Sequence, residues 1–406
     1  MKEEKTDSNR TGEIGGRETS SGRKPLLQPL SARRSAWVEI DLAQLRQNFA
    51  CIRRELSPGV EWISVLKDEA YGHGGVRVAR MVLAAGASRI ALSNVEEGVE
   101  FREGGIQAPI LLFGEILPEE VEYVVAYRLT PSISTVETAR MLEPWAERLG
   151  YPIPVHVKVD TGMGRYGVRW TEAIPLLTEL SRMKGIRIEG IYSHFARSDE
   201  ADKEFAYLQL ERFLSVCREA KQLGIPIGLR HICNTGGFLD LPKAHLDAVR
   251  IGILNTGVYP SLVCRRIPGI APAMTVKARI VALKWLERGD NIGYGLRYQC
   301  PGRRRIAVIP VGYGDGYPRV RNEGAVLIHG RRAPIVGANA MDATMVDVTH
   351  IPEARLWDEV ILMGRQGEEE ITARDIAQWK RTICYEVLVG WRSRLPRVYI
   401  HTEAEG

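Results

Sequence analysis

The stretch Trp62-Ile-Ser-Val-Leu-Lys67-Asp-Glu-Ala-Tyr71-Gly-His-Gly-Gly75 decides how the chain is read. Residues 62–66 form a short apolar run, the pattern of a strand buried on both faces. A polar, glycine-rich turn follows. Residues 76–87 then space their apolar positions as a helix does. Gly86 closes that helix, where a left-handed residue is wanted.

The same unit repeats along the chain. Apolar runs recur at 89–93, 109–114, 130–134, 154–160, 188–194, 227–234 and 248–252. Helical stretches such as 135–149 and 203–223 separate them, closed by Gly150 and Gly224. In the latter, Phe205, Leu208, Phe213, Leu214 and Val216 stand among charges, an amphipathic pattern. Eight strand–helix units in roughly 200 residues predict an α/β fold, a (β/α)8 barrel. An open doubly wound sheet ranks lower, because no glycine-rich dinucleotide fingerprint follows the first strand.

After about residue 270 the rhythm changes. Runs at 274–286, 304–313, 325–328, 334–336, 345–348 and 359–363 are β-rich and separated by turns. The expected organisation is a barrel over 36–270 and a C-terminal all-β domain over 271–406. Residues 36–44 are a candidate extra strand for the β domain, because 37–42 alternate apolar and polar. Residues 1–35 carry almost no large apolar side chain before Leu26, so they are expected to be a disordered basic and polar tail. They also lack the apolar core of a signal peptide.

Composition narrows the function classes. With 406 residues, 45% hydrophobic, the chain is too long for one ordinary core, and two domains are the natural expectation. A net charge of +5 is small for this size and gives no reason to expect nucleic acid or an anionic membrane. The six cysteines include no CxxC pair, which argues against a disulfide framework or a structural metal site and fits a reducing cytoplasm. No run of about eighteen apolar residues exists to span a membrane.

Catalytic groups of a barrel stand at the C-terminal ends of its strands. That rule selects Lys67, Lys158 with Asp160, His194, Asn234 and Arg250. A lysine at such a mouth can attack an aldehyde. The glycines of 70–75 let backbone approach a ligand, and the helix start beyond them suits a phosphate. Taken singly, each residue also fits an ordinary loop, and Lys67 a solvent-facing lysine.

Together they are more specific. Lys67-Asp-Glu-Ala-Tyr-Gly-His-Gly resembles the pyridoxal phosphate (PLP) lysine motif of alanine racemases. So do Lys158-Val-Asp-Thr-Gly-Met-Gly-Arg165-Tyr-Gly, Ser193-His-Phe-Ala and Val249-Arg-Ile-Gly-Ile253. The resemblance continues in order through Gly293-Tyr294-Gly-Leu-Arg-Tyr298, Pro310-Val-Gly-Tyr313-Gly-Asp-Gly-Tyr317, Ala340-Met-Asp342 and Arg394-Leu-Pro-Arg397. It runs from about residue 37 to residue 399.

The resemblance implies a PLP-dependent homodimer with active sites shared between subunits. It would interconvert L- and D-alanine and supply D-alanine for peptidoglycan. Lys67 would hold PLP as a Schiff base and act as base on one face of the α-carbon. Tyr294, from the other subunit, would serve the opposite face, as inversion requires. Arg250 would face the pyridine nitrogen and, as an arginine, leave it unprotonated. His194 would orient Arg250. Arg165 and the Met341 N–H would bind the substrate carboxylate. Lys158, carbamylated, would position Arg165. Tyr71, Asn234, Thr235, Gly252 and Ile253 would surround the phosphate, with Tyr313 and Asp342 in support.

Departures from the family pattern bear on substrate breadth. Asp68-Glu69 stand where Ala-Asn is usual, Asn255-Thr256 where an aliphatic residue and Tyr are, and Asn339-Ala340 before Met341 where Cys often occurs. Ser393 stands near a position where many members carry a tyrosine that narrows the pocket, so a serine or broad-specificity racemase is the alternative. A PLP decarboxylase of basic amino acids would lack the Tyr294 context. A non-enzymatic PLP carrier would lack the about 130 residues after the barrel.

Overall fold

A computed structural model describes residues 34–402. The expected tail, apart from Arg34 and Ser35, lies outside the described residues. Eight parallel strands follow one another: Glu61–Val65, Arg89–Leu92, Ile110–Leu112, Ser132–Ile133, Ile153–Asp160, Ile186–Tyr192, Leu229–His231 and Ala248–Ile251. The last pairs with the first. The third and fourth join where Leu112 N–H donates to the Thr130 carbonyl at 2.9 Å and Thr130 N–H to that of Ile110 at 2.8 Å. The ring is thus the predicted eight-stranded barrel.

Alternation along the first strand explains how the ring is filled. Ile63 and Val65 join Ala91, Leu111 and Ala248 in one buried cluster. Trp62 and Leu66 belong to the larger core. The expected eighth strand–helix unit differs. After the last strand there is only the short 3-10 turn Ile253–Thr256. Helix Leu42–Glu55, started by Asp41 accepting from the Ala43 and Gln44 N–H groups, packs on that turn and on helix Gly75–Ala84. Its Phe49 meets Trp62 edge-on at 6.1 Å between ring centroids. A helix from before the first strand therefore covers the seam.

Beyond the barrel the chain is β-rich, as predicted. Strand Ala36–Asp41 pairs antiparallel with Met274–Arg279 and parallel with Arg397–Ile400. That sheet continues through Glu359–Gln366 to Ala325–Ile328 and Arg331–Pro334. A second sheet holds Ala282–Leu286, Arg304–Ile309 and Thr344–Asp347. Two helices interrupt the β pattern, Ala373–Lys380 and Cys384–Gly390. The first begins with a capping box between Thr372 and Asp375. The second packs on the segment just after the barrel's first strand. Among the described residues no helix is long and apolar enough to cross a membrane.

Gly257 marks the exit from the barrel. Its φ is +84°, and a Cβ there would stand 1.7 Å from the Ala271 carbonyl oxygen. Gly257→Ala is expected to cost at least about 2 kcal/mol, from left-handed strain plus overpacking. Urea denaturation checks this, and a midpoint equal to the parent's would contradict it.

Candidate active site

Lys67 opens a turn of unusual hand. Asp68, Glu69, Ala70 and Tyr71 all take φ between +50° and +56°. Left-handed helical backbone costs about 1–2 kcal/mol per residue for an L-amino acid. Local hydrogen bonds offset part of that. Ala70 N–H donates to the Leu66 carbonyl at 2.8 Å and Gly74 N–H to that of Glu69 at 2.9 Å. Asp68 N–H donates to Glu97 Oε1 at 2.6 Å, and Glu69 Oε2 accepts from Gly75 N–H at 2.7 Å. Glu69, one of the departures from the family pattern, thus anchors the first residue of helix Gly75–Ala84.

The glycines after this turn serve a purpose other than the one expected. A Cβ on Gly72 would stand 2.7 Å from the Leu388 carbonyl oxygen, one on Gly74 2.0 Å from the Tyr399 hydroxyl, and one on Gly75 2.8 Å from the Phe101 ring. They admit protein, mostly the C-terminal region, rather than a ligand.

The turn buries Tyr71 and aims its hydroxyl at the end of the eighth strand. A Cβ on Gly252 would lie 2.2 Å from that hydroxyl. Gly252 N–H donates to Thr235 Oγ1 at 3.2 Å. Asn234 starts helix Thr235–Asp240 by accepting from Gly237 N–H at 3.0 Å and also accepts from Ser198 Oγ at 2.6 Å. Ile253 is buried directly after Gly252. Tyr71, Asn234, Thr235, Gly252 and Ile253 therefore form one cluster rich in hydroxyl and N–H groups. Tyr385 packs edge-on against Tyr71 at 6.1 Å. Ser393 is exposed on the turn before Arg397–Ile400.

Arg250 is buried in the barrel at 2% exposure. Its Nη2 donates to the Ser193 carbonyl at 2.7 Å, the Ile232 carbonyl at 3.0 Å and His194 Nδ1 at 3.1 Å. Its Nη1 donates to His231 Nδ1 at 2.8 Å. Among the described residues Nε has no partner. Burial pulls the guanidinium down to about 10, which leaves it a cation at neutral pH. Desolvation first, and the Arg250 charge second, hold both His194 and His231 well below the ordinary histidine range.

Lys158, near the end of the fifth strand, is buried under Tyr166 and Tyr192, its Nζ 5.1 Å and 5.3 Å from their ring centroids. Burial, then the charges of Arg165 and Arg250, push its amine down to about 7. Arg165 is exposed on a loop tied by Asp160, whose carboxylate accepts from the N–H groups of Gly162, Met163 and Gly164.

The remaining predicted residues gather elsewhere. Tyr294 opens the 3-10 turn Tyr294–Leu296 and is 69% exposed; Met341 is 57% exposed. Tyr294 lines a groove of about 450 Å³ with Asn291, Ile292, Ala338, Ala340 and Met345, and no barrel residue lines it. Tyr313 N–H donates to the Ala340 carbonyl and Gly314 N–H to that of Met341. Asp342 is exposed beside them. Sequence reading passed over His231 and Tyr385. The first ends the seventh strand, three residues short of Asn234, and the rule that looked only at the strand mouth chose Asn234.

PLP fits the barrel cluster by its chemistry. Lys67 supplies an amine for an aldehyde. The hydroxyls and N–H groups around Tyr71, Thr235 and Ile253 suit a phosphate. The buried, unpartnered Arg250 Nε suits the lone pair of a ring nitrogen.

Comparisons with known proteins agree. The family model for the alanine racemase N-terminal domain matches residues 40–260, and that for the C-terminal domain residues 273–399. The alanine racemase of Halothermothrix orenii is 43% identical over 90% of this chain and 97% of its own length. That of Syntrophobacter fumaroxidans is 45% identical over 87% and 94%. Among solved structures, alanine racemase from Clostridium difficile 630 superposes with a TM-score of 0.85 at 36% identity, covering 90% of this chain and 96% of that one. Alanine racemase from Streptomyces coelicolor gives 0.86 at 34% identity, covering 91% and 99%. The chain belongs to the alanine racemase family, the PLP-dependent enzymes that interconvert L- and D-alanine.

Proposed function

We propose that this chain inverts alanine with two opposed bases, Lys67 from one subunit and Tyr294 from the other subunit of a homodimer. One observation carries the shared site: Tyr294 is 69% exposed in a groove that no barrel residue lines. A second copy of the chain would bring that exposed phenol to the mouth of its neighbour's barrel.

Lys67 would hold PLP through Nζ. When bound, PLP supplies an electron sink that lets the α-proton of alanine leave. Lys67 Nζ and Tyr294 Oη would act on opposite faces, one taking the α-proton while the other delivers a different proton of its own. Arg250 would keep its protons and offer its free Nε–H to the ring nitrogen. His194 orients the guanidinium. The Tyr71 and Thr235 hydroxyls and the backbone around Gly252 and Ile253 hold the phosphate, while Asn234 fixes the helix that presents Thr235. Arg165 and the Met341 N–H grip the substrate carboxylate, with Tyr313 and Asp342 supporting the Met341 loop. A cytoplasmic role in providing D-alanine for peptidoglycan follows from the activity.

The enzyme incubated with L-alanine in D2O is expected to yield D-alanine and α-deuterated alanine; the absence of both would sink the reading. Lys67→Ala should lose cofactor that borohydride can fix covalently to the chain. Tyr294→Phe should keep it while turnover falls by about 10²–10⁴-fold. An equimolar mixture of these two variants, re-equilibrated as dimers, should regain about a quarter of the parent activity, because half the dimers are mixed and each rebuilds one site. No recovery would argue against sharing.

Lys158 would carry a carbamate, formed when its neutral amine adds to CO2 and releases a proton. An amine held down to about 7 is largely neutral above that pH and protonated below it. Carbamate observed by ¹³C NMR with labelled bicarbonate should therefore decline as pH falls through 7. A signal independent of pH from 6 to 8, or none, would contradict the assignment.

A further inference from the structure

Arg250 is the start of a longer chain. His231, which accepts from Arg250 at Nδ1, lies with Nε2 at 2.8 Å from His156 Nδ1. His156 Nε2 faces Glu189 Oε2 at 3.8 Å. Arg89 Nη1 reaches the same carboxylate oxygen at 3.2 Å, and Arg187 Nη2 the other at 3.6 Å. Both histidines are essentially inaccessible, and the His231 ring stacks on Tyr192 at 5.0 Å. Glu189 lines a groove with Pro109, Thr130 and Pro154, which precede the third, fourth and fifth strands or begin them. The chain thus runs from the cofactor side of the barrel to the end where its strands begin.

Elementary hydrogen-bond chemistry sets every proton along it. A guanidinium only donates. His231 Nδ1 must therefore be the acceptor, so a neutral His231 carries its proton on Nε2. That proton can go only to His156 Nδ1, which must be bare. His156 then carries its proton on Nε2, facing the carboxylate. The surrounding charges agree. Burial and the nearby guanidinium groups disfavour a second proton on either ring, and contact with His156, then Arg89, holds the Glu189 carboxyl down to about 2. The backbone is shaped to fit, because a Cβ on Gly190 would lie 2.5 Å from His156 Cε1 and 2.6 Å from Nδ1.

We propose that His231, His156 and Glu189 are positioning residues for Arg250: one proton-ordered chain keeps His231 Nδ1 an acceptor and so holds the guanidinium toward the cofactor ring. The role rests on the proposed facing of Arg250 and the pyridine nitrogen. Loss of His156 leaves the His231 Nε2–H without an acceptor, and loss of Glu189 removes the carboxylate whose charge favours the proton on His156 Nε2; either frees His231 to invert its tautomer. Arg250 would then lose its Nη1 partner.

The test uses the full chain. In ¹⁵N-histidine NMR at neutral pH, with and without PLP, His231 and His156 should both be neutral with the proton on Nε2. Either ring found cationic or protonated on Nδ1 overturns the chain. His156→Leu and Glu189→Leu should weaken PLP binding by about tenfold, the usual effect of an unsatisfied buried donor, and raise the pyruvate released per D-alanine formed. Glu189→Gln, which still offers an acceptor oxygen, should restore both within about twofold of the parent. A merely structural role would lower folded yield without moving the pyruvate ratio or separating Gln from Leu. Ordered tautomers with unchanged PLP affinity and pyruvate ratio in His156→Leu would overturn the positioning role. That outcome would leave the Lys67 and Tyr294 reading intact, since the D2O experiment tests it separately.

Discussion

A guanidinium buried inside a ring of strands must find an acceptor for its N–H groups, because desolvating a cation without partners costs several kcal/mol. Arg250 meets that demand with two backbone carbonyls and two imidazole nitrogens. The demand propagates. Because Arg250 cannot accept, it selects the tautomer of His194 and of His231, and through His231 that of His156. Its Nε is the one guanidinium nitrogen with no acceptor among the described residues. Structure and chemistry meet at that atom: an interior that could have been wholly apolar is organised to hold a buried positive charge.

The second constraint is the left-handed turn after Lys67. Four consecutive L-residues at positive φ would not persist in isolation. They persist because the turn is pinned on several sides: by Glu97 from the segment after the second strand, by Leu66, and by the packing of helix Cys384–Gly390. Arg397 Nε also donates to the Gly72 carbonyl at 3.4 Å. The C-terminal region thus helps shape the mouth of the barrel it follows. Its sheet in turn is threaded by Ala36–Asp41, from before the barrel. The two regions are interleaved in sequence, and the conformation at Lys67 depends on both.

Much of this was legible in one dimension. Strands buried on both faces announce themselves as continuous apolar runs, and all eight barrel runs overlap an observed strand. Lys67, His194 and Arg250 were selected because chemistry in such a fold collects at strand ends. His231 was missed because a residue that accepts one hydrogen bond from the neighbouring strand, 19 positions away in sequence, leaves no local pattern. The helices near the C-terminus were missed although Thr372 and Asp375 carry a capping signature, because the β-rich stretches before them dominated the reading.

The sequence alone determined the barrel rhythm, the change to β structure after it, and the ordered set of motifs that marks the family. These depend on local periodicity and on residue identity, both of which survive unfolding. Tertiary structure alone decided the environment of each group. It made Lys158 an amine near neutrality, left Tyr294 exposed away from the barrel, and lined up Arg250, His231, His156 and Glu189 across four strands. Desolvation, charge proximity and hydrogen-bond direction are properties of where atoms meet in space, and no spacing along the chain encodes them.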